Sequence, residues 1–271
     1  MSLRRLAHTI GPAVVFGIAF LALWELVVKA FDIKPFLLPA PSAIWSALID
    51  RFGDVWDATY QTGTNAFYGL LAGAVLGVLL SFVLMRFRFL DEMVTPLAIA
   101  LNAIPIIVLV PVLNNMFSAT TETPRRMMVM LIVFFIVLVN VAKGLRQVSA
   151  THMELMRSYA ASPWQVMTKT RIPNAVPYLF TALKIAAPVA VITAFVAEYF
   201  GGNQNGLGYG ITSSASTSRN DATWAYVVGA CALGLSFFLI SVGLERYTAT
   251  RHGLAPQTQQ HTGGAAPGGA T

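Results

Sequence analysis

Stretches of about 20 residues almost free of charge recur six times along this chain, and no other feature restricts its folding so tightly. A helix needs about 20 mostly apolar residues to cross the hydrocarbon core of a bilayer, and must satisfy its own backbone polar groups while doing so. The stretches run approximately over 9–30, 62–85, 93–116, 127–146, 174–200 and 223–244. They predict an all-α membrane protein with about six transmembrane helices. Composition agrees: 11% of the 271 residues are charged, against about 25% in soluble domains, and the mean hydropathy is +0.64. The connections are too short for a separate aqueous domain, so residues 1–252 read as one transmembrane domain. Residues 253–271 have few groups able to drive burial and are expected to form a disordered cytoplasmic tail.

A net charge of +6 could signal a nucleic-acid partner, but the basic residues are dispersed in short loops rather than gathered on one stripe. They instead orient the chain. With an even number of spans, the side holding the termini carries Arg4, Arg5, Arg86, Arg88, Lys143, Arg146, Arg157, Lys169, Arg171, Arg246 and Arg251. The other side carries Lys29, Lys34, Arg51, Arg125, Arg126 and Arg219, together with most of the acids. The excess predicts cytoplasmic termini. The first apolar run is longer than a signal-peptide core and lacks a clear small-x-small cleavage site, so it is expected to be retained as a span.

Several local features qualify this picture. Leu38 to Ser42 breaks the chain, and Ser42 is placed to cap a short helix whose Ile44, Trp45, Leu48, Ile49 and Phe52 share one face, lying either in the outer interface or against protein. Gly69, Gly73 and Gly77 repeat every four residues and let a neighbouring helix approach closely. In the third span, Pro96, Pro105 and Pro111 each remove a backbone donor, while Asn102, Asn114 and Asn115 bring amides to membrane depth. Lys184 lies well inside the fifth span, where it either faces a pathway or snorkels toward the interface. Glu198, near the outer end of that span, is placed to meet backbone donors of the glycine-rich segment 201–210 and to serve a gate. Asn102 and Asn140 either face the pathway or bridge helices; Asn203, Asn205 and Tyr209 either line the outer mouth or are simply solvated.

The longest inside connection, Lys143 to Pro173, is neither glycine-rich nor of disordered composition. Ser162 followed by Pro163 is a helix-start signal, so one helix is expected to end near Tyr159 and another to begin at Pro163. A short exposed helix on a sharp turn, headed by Trp164, suits docking into a partner's groove; the alternative is an ordinary linker.

At this loop the sequence resembles the permease subunits of binding-protein-dependent ABC importers. Their loop carries Glu-Ala-Ala, three residues, Gly, nine residues and Ile-x-Leu-Pro. Here Glu154 takes the Glu position, Leu155 and Met156 the alanines, Ala160 the glycine, Thr170 the isoleucine, Ile172 the leucine and Pro173 the proline, with the spacing kept. Ala161-Ser162-x-Trp164 is similar to the Ala-Ser-x-Trp that commonly follows the glycine. Ala160 adds a methyl group where the family turns its chain. Over roughly residues 35–248 the resemblance is closest to the nitrate, sulfonate and taurine branch, with Leu38 to Ser42 for its Leu-Pro-x-Pro-Ser and Glu198 followed by Gly206-Leu207-Gly208. Asn114 to Phe117 departs from the branch's Trp-Phe-Gly and points to vitamin precursors such as pyrimidines or flavins.

The resemblance implies a type I ABC importer permease fold, with a cytoplasmic coupling helix between spans four and five, acting as a homodimer in the inner membrane. It implies ATPase coupling through Glu154, Arg157, Ala160, Ala161, Ser162, Pro163, Trp164 and Pro173, and a pathway or gate at Asn102, Asn114, Asn140, Lys184 and Glu198. Cytoplasmic ATPase subunits would bind the ATP and Mg, and an extracytoplasmic binding protein would deliver the solute. The chain has no phosphate-binding Gly-x-x-x-x-Gly-Lys-Ser/Thr loop, so it is not expected to be an enzyme or to hold a cofactor. Lone Cys231 and four histidines without ligand spacing predict no metal site. The rival readings are an ion-coupled carrier or channel, which has no use for the Trp164 loop, and a membrane-embedded lipid enzyme, which needs a cluster of titratable residues at one depth.

Overall fold

The computed structural model describes residues 3–101, 105–201 and 204–252, and every regular element among them is helical. In chain order these are α1 (Leu3–Ala30), α2 (Pro41–Asp50), α3 (Phe52–Arg86), α4 (Arg88–Leu101), a 3-10 turn (Ile106–Val108), α5 (Leu109–Phe117) and α6 (Thr123–Arg146). There follow α7 (Ala150–Ser158), α8 (Pro163–Val166), a π-helical turn (Met167–Arg171), α9 (Ile172–Tyr199), α10 (Gly206–Ser216) and α11 (Asn220–His252). Four helical stretches are individually long and apolar enough to cross a membrane: 52–86, 123–146, 163–199 and 220–248. Asn102, Asn203 and the tail 253–271 lie outside the described residues.

The core is built from rows of small and β-branched side chains that let three helices lie close together. Gly69, Gly73 and Gly77 of α3 face α6 so tightly that a Cβ on Gly73 would stand 2.5 Å from the Met130 carbonyl oxygen. The α6 side of this contact is Val129, Val133 and Val137, all fully buried. On its other flank α6 meets an alanine row of α9, with Ala182, Ala186, Ala190 and Ala194 repeating every four residues and excluded from the surface.

The order of these contacts fixes directions. Gly69 meets Val129, Gly73 meets Val133 and Gly77 meets Val137, so α3 and α6 run parallel. The chain between Arg86 and Thr123 must therefore return from one end of the bundle to the other. It does so as two helices with a break between them: α4 contains Pro96, Pro105 precedes the 3-10 turn, and Pro111 lies within α5. The third apolar stretch is thus divided between α4 and α5, as its three prolines lead one to expect, because they interrupt the hydrogen-bond ladder.

The short helix after Leu38 is present as α2, but its cap differs from expectation. Ala40 is the N-cap residue and Pro41 opens the helix. Ser42 instead donates its hydroxyl to Glu25 Oε1 at 2.8 Å and its backbone N–H to Oε2 at 3.0 Å, tying α2 to α1. The face read as one apolar stripe divides: Ile44 is buried, while Trp45, Ile49 and Phe52 are exposed.

Candidate functional site: an exposed elbow and a buried polar clamp

At one end of the bundle α6, α7 and α8 form an elbow. Ser149 caps α7 by accepting the His152 N–H, and α7 ends in a tight reversal in which Ala161 N–H bonds the Met156 carbonyl at 3.0 Å and Ala160 N–H the Arg157 carbonyl at 2.9 Å. This paired pattern is the Schellman C-cap, and it places Ala160 at φ +49°, in the left-handed region. The turn therefore keeps the conformation a glycine would adopt, at the cost of crowding the alanine Cβ. Ser162 then starts α8 with a reciprocal capping box: its Oγ accepts the Gln165 N–H, and Gln165 Oε1 accepts the Ser162 N–H at 2.8 Å. The helix headed by Trp164 is not a separate short element, since it passes through the π-helical turn directly into α9, giving one helical run from 163 to 199. The separate short helix of this connection is α7.

The elbow is folded but uncovered. No residue of α7 or α8 is buried, and Tyr159 and Trp164 expose 75% and 73% of their surface, with Leu155 at 50%. Glu154, Arg157, Ala160, Ser162, Pro163 and Pro173 are exposed, and Ala161 is half-buried. Its base is anchored by residues that sequence reasoning passed over. Asn174 Nδ2 donates to the Gly144 and Gln147 carbonyls at 2.7 and 3.1 Å, Arg171 donates to the Leu145 carbonyl, and the Tyr178 hydroxyl donates to Gln147 Oε1. Asn174 and Arg171 thereby satisfy open backbone carbonyls at the end of α6, and Tyr178 holds the Gln147 side chain beside them.

At the opposite end, four elements converge on a buried polar clamp. Glu198, 2% exposed, accepts the Thr62 hydroxyl at 2.7 Å and the Gly208 N–H at 3.1 Å through Oε2, and Thr62 Oγ in turn accepts the Leu207 N–H at 2.9 Å. The carboxylate thus binds the first turn of α10, where free N–H groups attract negative charge. Glycine is required there: Gly206 has φ +85°, and a Cβ on it would lie 2.4 Å from Glu198 Oε2. On Gly208 a Cβ would lie 2.4 Å from the Phe195 carbonyl oxygen.

Beside this contact lies a second group, also unrecognised in the sequence. Arg125, 2% exposed, donates to Glu122 Oε2 at 2.9 Å and to Asn205 Oδ1. Asn205 Nδ2 donates to Glu122 Oε1 at 2.9 Å, and Asn65 Nδ2 to Glu122 Oε2 at 2.7 Å. Arg126 Nε reaches Asn65 Oδ1 at 3.0 Å and its guanidinium lies over the Tyr68 ring. The group joins α3, the start of α6 and the segment leading into α10. Its one visible signal is Thr62 and Asn65, three apart in the polar stretch 59–65 that precedes the apolar run of α3.

The remaining candidates are placed separately. Lys184 does not stand free: its Nζ pairs at 2.6 Å with Glu245 of α11, just past the end of the sixth apolar stretch. The Asn140 amide donates to the Ile136 carbonyl of its own helix at 2.8 Å. Asn114 is half-buried in α5, near Gly201. No cluster of three or more His, Cys, Asp or Glu that could hold a metal occurs among the described residues.

Close-packed apolar helices and a proline-broken return segment give the chain the architecture of a multi-pass membrane protein. Residues 69–251 match the family described as "binding-protein-dependent transport system inner membrane component", and the chain belongs to that family. It is a permease subunit of ABC importers, with the type I fold. A formylaminopyrimidine transport permease protein from Halalkalibacterium halodurans is 31% identical, over 76% of this chain and 82% of the relative. A probable ABC transporter permease protein from Haemophilus influenzae is 27% identical, over 87% and 96%. Relatives named for sulfonate, taurine and nitrate transport also match. Among solved structures, a bacterial ABC transporter that imports the acidic polysaccharide alginate aligns with a TM-score of 0.60 at 14% identity, covering 90% of this chain and 99% of that one.

Proposed function

We propose that this chain works as one of two identical permease copies crossing the inner membrane six times, with both termini cytoplasmic, and that α7 and its elbow receive force from cytoplasmic ATPase subunits. α1 and the broken α4–α5 return supply the two crossings beyond the four uninterrupted ones. One observation carries the coupling role: the elbow is fixed by caps at both helices and anchored at its base, yet it leaves Leu155, Tyr159 and Trp164 uncovered. An ordered element with exposed aromatics is suited to burial in a partner's groove. Glu154, Arg157, Ala161, Ser162, Pro163 and Pro173 surround these anchors, and Ala160 sets the turn. ATP and Mg belong to the partner subunits, and solute reaches the outer face from a binding protein.

At the other end, Glu198 and the Glu122–Arg125 group act as the outer gate, because they hold the start of α10 to three spans at once. Opening there requires these bonds to be exchanged, and ATP binding shifts the balance only through contacts that differ between the two states. Asn114, beside Gly201, lines the path, whereas Asn140 and the paired Lys184 support the helices around it. The substrate is a small solute of the kinds for which the relatives are named, such as a sulfonate, nitrate or a pyrimidine vitamin precursor.

Co-purification tests the coupling. The Glu154→Ala, Trp164→Ala double variant should extract from membranes as a folded protein but without its ATPase. A complex that survives intact would rule out docking through the elbow, and nucleotide-free uptake by the purified chain in liposomes would favour a carrier or channel.

A further inference from the structure

A cleft of about 520 Å³ opens at the clamp end, between the start of α3, the outer face of α10 and the start of α11. Its volume falls within the ~300–1,000 Å³ common for small-molecule sites. The α10 wall of this cleft begins at Asn205 and Gly206, the residues held by the clamp.

The lining has a definite chemical character. Asp54 and Asp57 are matched by Arg51 and Arg219, so the charged side chains sum to zero. Two half-buried tyrosines, Tyr209 and Tyr226, supply the aromatic surface. Tyr226 is held in place by its close packing on Gly210 and stands within electrostatic reach of both Asp54 and Arg51.

We propose that this cleft is an entry site for a planar solute, uncharged or zwitterionic, of the hydrogen-bonding heterocycle class. This rests on the permease reading above and narrows its substrate. A small inorganic anion gains little from a site in which each guanidinium is offset by a carboxylate, and it cannot use an aromatic face. A flat ring with donors and acceptors on its rim gains both stacking and hydrogen bonds to groups of either sign. Because α10 forms one wall and is tied to Glu198, a solute seated here also presses on the gate.

The test uses the full chain in nanodiscs with its co-expressed ATPase and binding protein, and riboflavin as a planar, uncharged, fluorescent probe. Saturable quenching of flavin fluorescence is expected, reversed by an unlabelled aminopyrimidine and unaffected by excess nitrate. Tyr209→Ala should weaken the apparent affinity about tenfold while Tyr209→Phe retains it, and Asp57→Asn should also weaken it. Absence of saturable quenching, displacement by nitrate, or indifference to Tyr209→Ala would overturn the proposal. Two readings on the same particles keep the failures apart. If the ATPase is present and ATP drives uptake of nitrate or taurine alone, the solute class falls and the importer stands; if no ATPase is bound, the permease reading itself falls.

Discussion

Lys184 of α9 and Glu245 of α11 form an ion pair at 2.6 Å between two membrane-crossing helices. Each side chain keeps about a third of its surface exposed; Lys184 stands inside α9, while Glu245 lies just past the sixth apolar stretch. An unpaired ammonium at that depth is costly, so the pair joins the last crossing to the core.

Glu245→Gln should therefore destabilise the protein more than loss of one hydrogen bond would. The expected loss is about 1–3 kcal/mol, below the range for fully buried pairs because both partners are partly exposed. The charge-swapped double variant Lys184→Glu, Glu245→Lys should recover most of it. Thermal unfolding in detergent, followed by tryptophan fluorescence, reads both; equal losses in the single and swapped variants would mean the contact does not contribute to stability.

Ala160→Gly should stabilise the elbow. A left-handed φ of +49° costs an alanine on the order of 1 kcal/mol relative to glycine, and the Schellman hydrogen bonds do not use the side chain. Slower proteolysis between Arg157 and Lys169 is the expected readout, with no loss of ATPase co-purification.

Alanine at the two clamp glycines should behave differently under rescue. At Gly206 the obstructing atoms belong to the Glu198 carboxylate, so adding Glu198→Ala should relieve the clash and leave only the strain of φ +85°. At Gly208 the obstruction includes the Phe195 carbonyl, which no side-chain truncation removes. Gly206→Ala should thus be partly rescued and Gly208→Ala much less so, as judged by monodispersity and melting temperature.

Removing one member of the Glu122–Arg125 pair should cost about 1–3 kcal/mol, less than an isolated buried pair, because Arg125 is buried but also feels the charge of Glu198. The double variant Glu122→Gln, Arg125→Met should be closer to wild type than either single change. Purely additive losses would show that the two residues act independently.

Spacing made the bundle legible, and long-range pairing concealed most of the site. The glycine row at 69, 73 and 77 announced a close helix contact because four-residue spacing alone places small residues on one face. Ser162-Pro163 announced the start of α8 for the same local reason. Glu122 and Arg125, in contrast, read as members of a charged outside loop, since nothing near them in sequence shows that Asn65 and Asn205 will enclose them. Lys184 offered two readings, neither of which names Glu245, because that partner lies on another crossing. The anchors of the elbow, Asn174 and Tyr178, looked like ordinary residues at the start of a span; only the return of that span onto the end of α6 gives their polar groups something to bind.

The helical run from Pro163 to Tyr199 holds 37 residues, and at 1.5 Å per residue it is about 55 Å long. Its first turn carries the exposed Trp164 and its last carries Glu198, so one helical run, with Pro177 and Pro188 inside it, has an uncovered aromatic at one tip and the carboxylate holding α10 at the other. Tilting such a rod about a point inside the bilayer swings both tips in the same instant and in opposite directions. No relay of side chains is then needed between the two faces of the membrane; a lever suffices, and the π-helical turn near Trp164 and the interior prolines Pro177 and Pro188 are where its stiffness can be tuned.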